Sequence, residues 1–189
     1  MKKTVLDYTL KIRVPITLFV IALSFALTYF ASRAERDGIG YEPEQPIQFS
    51  HKLHSGQMEI DCQYCHTGVT KGRFALVPSV NICMNCHEVA RKDRPEIVKL
   101  REYYDEGKPL PWKRIHKVPE YAYFNHAAHV NNDIDCANCH GNIEAMEKVK
   151  QVRGFTMAAC LDCHRNPKEN IANYTKDKVG PDNCWACHR

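Results

Sequence analysis

The sequence predicts one apolar N-terminal helix followed by an irregular domain of coil and short helices with little β-structure. Three observations carry this. Residues 14–32 read VPITLFVIALSFALTYFAS, 19 residues without a formal charge. All ten Cys lie in five Cys-x-x-Cys-His units, which leave five of the ten His outside them. Nowhere do apolar and polar residues alternate over a length that reads as a strand.

The apolar run has the length that crosses a bilayer core. A signal peptide's apolar region is shorter and ends at a small-residue cleavage site; the nearest such stretch here, residues 31–34, is interrupted by Arg33. Lys2, Lys3, Lys11 and Arg13 precede the run against one Asp, whereas Arg33 and Arg36 after it are mixed with Glu35 and Asp37. The positive-inside rule therefore makes residues 1–13 a cytoplasmic tail, residues 14–32 a membrane anchor, and the rest of the chain external. Residues 33–48 carry Gly38, Gly40, Pro43 and Pro46 without apolar periodicity and read as a linker. The formal charge of +4 comes without a Lys/Arg block or an aromatic stacking platform, which excludes a nucleic-acid partner.

Residues 49–189 are organised as a repeat. Phe49-Ser50-His51-Lys52-Leu53-His54 is followed, 11 residues after His51, by Cys62-Gln63-Tyr64-Cys65-His66, and 21 residues after Cys62 by Cys83-Met84-Asn85-Cys86-His87. Phe124-Asn125-His126-Ala127-Ala128-His129 is followed, 10 residues after His126, by Cys136-Ala137-Asn138-Cys139-His140, and 24 residues after Cys136 by Cys160-Leu161-Asp162-Cys163-His164. Residues 49–87 and 124–164 are thus two copies of one unit. A fifth motif, Cys184-Trp185-Ala186-Cys187-His188, follows them. Pro95, Ile97, Leu100, Tyr104 and Gly107 predict a helix over 95–106. Asn142, Ile143, Met146 and Val149 predict a second short one, supported by a Glu144–Lys148 pair.

Cys-x-x-Cys-His is the signature of covalent haem c attachment. Two thiols three residues apart add to the two vinyl groups of one porphyrin edge, and the adjacent His reaches the iron. A zinc site needs paired Cys-x-x-Cys units and no His after each; a redox dithiol occurs once, in a βαβ setting. Five motifs that use every Cys predict five haem c groups and a multihaem cytochrome c domain. About 38 residues per motif leave too little chain for an apolar core besides, so the macrocycles form the core. Their propionates and irons turn the +4 into about −1 oxidised and about −6 reduced.

His66, His87, His140, His164 and His188 are the expected proximal ligands. The five remaining imidazoles, His51, His54, His116, His126 and His129, equal the number of distal positions. By proximity along the chain, His51 serves the first motif and His126 the third, His54 and His129 reach across to other haems, and His116 reaches the haem of Cys83 and Cys86. Met157, three residues before Cys160, is the alternative axial ligand, since His/Met ligation raises a haem's potential; packing in a helix is its other reading. With every axial position filled, no iron binds a substrate, and the motifs carry electrons without catalytic residues of their own.

The Phe-x-His-x-x-His element ahead of Cys-x-x-Cys-His, at 49–66 and 124–140, resembles class III multihaem cytochromes c of the c3/c7 type. With its single N-terminal span, five motifs and the segment WKRIHKVPEYAYFNHAAHV at 112–130, the chain resembles the pentahaem cytochrome c subunit of alternative complex III. That resemblance implies a quinol-oxidising complex of the bacterial cytoplasmic (inner) membrane, with the haem domain on the periplasmic side. It implies an iron–sulfur subunit, polytopic quinone-binding membrane subunits and a monohaem cytochrome c as partners, with electrons leaving to a soluble carrier or terminal oxidase. It also implies an axial role for Met157, because a Met commonly precedes the fourth motif in that family. Two other classes stay open: a small membrane-anchored multihaem quinol dehydrogenase, and a multihaem reductase subunit, which needs an open or lysine-ligated iron.

Overall fold

A computed structural model describes residues 5–188, with the backbone alone at residues 5, 6 and 33–37. Lys2 and Lys3, which weigh in the topology reading of the 1–13 tail, and Arg189 lie outside the described residues. The chain divides into two units, Met1–Gly38 and Ile39–Arg189.

In the first unit a helical turn at Val5–Tyr8 and a π-helical turn at Thr9–Arg13 lead into helix α1 (Val14–Asp37). The charge-free run 14–32 lies wholly within this 24-residue helix, and its 19 residues span about 28 Å at 1.5 Å per residue, close to the roughly 30 Å of a bilayer core. The span Thr9–Ser32 is long and apolar enough to cross a membrane, and none of its most apolar stretch is buried against protein. The helix runs past residue 32 into the expected linker, because residues 32–37 contain no Gly or Pro and several good helix formers. Gly38, at φ +66°, takes the left-handed conformation that ends a helix.

The rest of the expected linker is laced into the second unit. Gly40 N donates to Gln151 O (2.8 Å) and Gln151 N donates to Tyr41 O (3.0 Å). The Gln45 side-chain amide donates to Lys113 O and accepts from Lys113 N, both at 2.9 Å. Gln48 N donates to Glu96, and Ile47 is buried. The Gly and Pro residues that read as a tether instead give extended backbone, and its polar groups are satisfied by other coil.

No strand occurs among the described residues. Besides short turns there are three longer helices here: α2 (Val80–His87), α3 (Pro95–Asp105) and α4 (Met157–Arg165). Helix α3 begins on Pro95 as the sequence predicts, and Gly107 follows it at φ +62°. The second predicted helix shrinks to a 3-10 turn at Ile143–Ala145, after Gly141 at φ +72°. Lys148 pairs not with Glu144 but with Glu44 (2.5 Å) and Glu42 (4.0 Å), where two carboxylates converge.

Ile47, Val80, Met84, Leu100 and Leu110 form a small apolar core, with Cys83, Ile97, Tyr103 and Trp112 packed on it. It gathers α2, α3 and the two coils beside them. The total accessible area is 14042 Å², against about 9,300 Å² for a compact globule of this mass. Protein alone therefore leaves much of the chain's apolar surface uncovered.

Candidate functional site

Each motif folds into a short helical turn that places its two thiols and its His on adjacent turns. Caps set where three of these turns start. Asp61 accepts from Gln63 N (2.7 Å), Asp135 from Ala137 N (2.7 Å) and Asn183 from Ala186 N (3.1 Å). At the fourth motif Thr156 accepts from Ala159 N (3.2 Å), one turn before Cys160 on α4. All ten Cys are free of disulfides.

Seven of the imidazoles are held in one tautomer. His66 Nδ1 donates to Leu76 O (2.7 Å), His87 to Ala90 O (3.0 Å), His164 to Pro181 O (2.6 Å) and His188 to Tyr121 O (3.0 Å). Among the others, His54 Nδ1 donates to Ser50 O, His126 to Arg73 O and His129 to Asn125 O, each at 2.8 Å. A carbonyl only accepts, so Nδ1 carries the proton and Nε2 keeps its lone pair for a metal.

Ring separations pair these histidines. Two imidazoles bound to opposite sides of one iron have centroids roughly 6.3 Å apart, given a metal–nitrogen bond of about 2.0 Å. His54 and His87 lie 6.1 Å apart, His126 and His140 6.4 Å, and His129 and His164 6.0 Å. The interplanar angles are 60°, 6° and 27° respectively. His51 is beside His66, with its Nδ1 buried and unpartnered. His116, expected opposite His87, has its ring 4.3 Å from that of His140 at 86°, too close for an iron between them. His188 faces the Tyr121 ring at 5.9 Å.

The two copies repeat one another in detail. Phe49 lies edge-on to His51 (4.8 Å, 86°) and stacked on His54 (4.3 Å, 26°). Phe124 does the same to His126 (4.8 Å, 86°) and His129 (4.6 Å, 27°). Each Phe therefore orients both histidines of its copy, a role the conserved offset within the chain signals but the sequence reading does not assign. The copies also dock reciprocally. Lys52 N donates to Met146 O, and Ser50 donates to Glu147, which also pairs with Lys52. In return Ala127 N donates to Gly72 O and the Asn131 side chain donates to Thr70 O. Each histidine segment thus rests on the coil that follows the other copy's first motif.

Burial favours the neutral form, the one that binds iron, at four imidazoles: it depresses His51 to about 4 and His140 to about 3, with nearby imidazoles adding to the effect, and it lowers His116 and His129. Burial likewise raises the thiols of Cys65, Cys83, Cys139, Cys160 and Cys163, and takes Cys136 to about 11 with the Cys62 thiol beside it. No group of three or more His, Cys, Asp or Glu among the described residues is arranged to hold a bare metal ion. The donor set fits haem c: paired thiols, an adjacent oriented imidazole, and a second imidazole at the right separation.

The fold and the repeated site define a covalent multihaem electron carrier built mostly from coil. Residues 122–189 match the family described as cytochrome c7 and related cytochrome c, and residues 28–110 match the class III cytochrome C family. The multihaem cytochrome c subunit of menaquinone reductase from Nitratidesulfovibrio vulgaris is 30% identical over 169 residues, covering 78% of either chain. A probable nitrite reductase–hydroxylamine oxidoreductase fusion protein from Kuenenia stuttgartiensis is 27% identical over 129 residues, 64% of this chain but 15% of that protein. The chain belongs to the class III, c7-type multihaem cytochromes c, which transfer electrons through haem c.

Proposed function

We propose that the chain is the membrane-anchored electron-transfer subunit of a quinone-linked respiratory complex, carrying electrons through five covalently attached haem c groups. Haem c supplies one-electron storage at each motif. The ten Cys hold the groups in place, and the proximal histidines are His66, His87, His140, His164 and His188. His51, His54, His126 and His129 are the distal partners of the first four motifs in that order. The observation that carries this reading is the set of three imidazole pairs at 6.0–6.4 Å, six rings of which five have Nδ1 tied to a backbone carbonyl.

Met157 is the second axial residue of the fifth motif. It lies three residues before Cys160 on the same face of α4, and it is 67% exposed and so not a packing residue. Thiols of successive motifs are near enough to raise one another's proton affinity: Cys65 acts on Cys83, Cys62 on Cys136 through a hydrogen bond, Cys163 on Cys139 and Cys187 on Cys160. The sites therefore run second, first, third, fourth, fifth. A His/Met pair at the fifth raises its potential and draws electrons to that end.

The resemblance to the pentahaem subunit of alternative complex III supports quinol as the ultimate donor. It also supports an iron–sulfur subunit, polytopic quinone-binding subunits and a monohaem cytochrome c as partners, a monohaem cytochrome or terminal oxidase downstream, and a periplasmic position outside the inner membrane. A second reading has electrons running toward the quinone, since the relative that matches over 78% of its length belongs to a menaquinone reductase. Gentle solubilisation, identification of co-purifying subunits, and assays of quinol oxidation and quinone reduction with and without them separate these. Quinol oxidation only in the presence of the other subunits is expected; turnover by the isolated chain overturns the carrier role.

A further inference from the structure

We propose that Arg153 is the charge that raises the reduction potential of the third site, drawing electrons into the second copy. This rests on the haem-carrying reading above. The side chain is part-buried, and its Nη1 donates to Asn138 O (3.0 Å), a backbone atom inside the third motif itself. The segment that carries it is fixed on both sides. Gln151, 2% exposed, donates its side-chain amide to Arg153 O (2.9 Å), and Val152 packs where a Cβ on Gly141 would sit. The guanidinium is therefore not free to swing into solvent, and among the described residues it has no carboxylate within ion-pair distance.

Its bond to Asn138 O sets the charge beside the backbone that joins Cys136 to Cys139. The residue seven positions before the second motif of each copy is Leu76 in the first and Arg153 in the second. At this offset the first copy therefore has no charge.

A fixed positive charge favours the state with one more electron, and at partial burial it is screened far less than a surface charge. Arg153 is a positioning charge and touches no reacting atom of a substrate.

The test is an EPR-monitored redox titration of the full chain carrying Arg153→Gln or Arg153→Lys, with covalent haem counted in the same samples. The near-parallel rings of the third site (6°) and the steeply crossed rings of the second (60°) give distinguishable low-spin signatures. Gln keeps a donor for Asn138 O and removes the charge; Lys keeps the charge. Arg153→Gln is expected to lower the midpoint of the third site and leave the first and second unchanged, and Arg153→Lys to restore it. Unchanged midpoints in Arg153→Gln, a shift centred on the first or second site, or an equal fall in Arg153→Lys overturns the proposal. A protein without covalent haem would instead sink the carrier reading on which it rests.

Discussion

Replacing Gly180 by Ala is expected to drive His164 out of the fourth site and leave one iron high-spin. Gly180 N donates to His164 O (2.9 Å), and a Cβ at this position would fall inside the His164 ring. The segment is pinned further by His164 Nδ1 donating to Pro181 O (2.6 Å) and by the Arg165–Asp182 pair (3.3 Å). Neither the ring nor the backbone has room to yield without breaking the contact that fixes the tautomer. Overpacking of this kind costs about 1–3 kcal/mol, and here it falls on an imidazole whose ring lies 6.0 Å from that of His129. The control is Gly72→Ala, where a Cβ meets open space. EPR and visible spectra should show one high-spin site in Gly180→Ala and none in Gly72→Ala; a wholly low-spin Gly180→Ala protein contradicts the packing described.

His54→Ala is expected to convert the second site to high spin, whereas His116→Ala is expected to leave every site low-spin. His54 lies 6.1 Å from His87, a separation that admits an iron, and His116 lies 4.3 Å from His140, which does not. The Phe155 ring also lies 6.1 Å from His116, which packs it beside the third site. Spectra of the ferric proteins decide between the two. A high-spin site in His116→Ala together with an unaltered His54→Ala restores the pairing expected from the sequence.

That reversal shows where sequence reasoning stops. The apolar run, the five motifs and the duplicated Phe-x-His-x-x-His element were legible because each is local: a charge-free stretch, a spacing of three, an offset repeated in the same chain. Pairing by nearness along the chain could not separate His54 from His116, because both lie within a flexible loop's reach of His87. The anchors of the imidazoles were not legible at all, since Leu76, Ala90, Pro181 and Tyr121 act through backbone carbonyls that any residue supplies. Residues 39–48 misled for a related reason. Their Gly and Pro content describes a chain without regular structure, and says nothing of whether other coil satisfies it, as Gln45 on Lys113 does. Arg153 was one cation among 26 Lys and Arg until its bond to Asn138 placed it inside the third motif.

The central claim is that the ten Cys hold five haems as thioethers and that these complete the core. The intact mass of the purified chain under denaturing conditions tests it most directly, because thioether-bound haem survives unfolding. The expected mass is that of the polypeptide plus five haem groups, retained after acid–acetone extraction; a mass with four or fewer, or haem that extracts, contradicts the account.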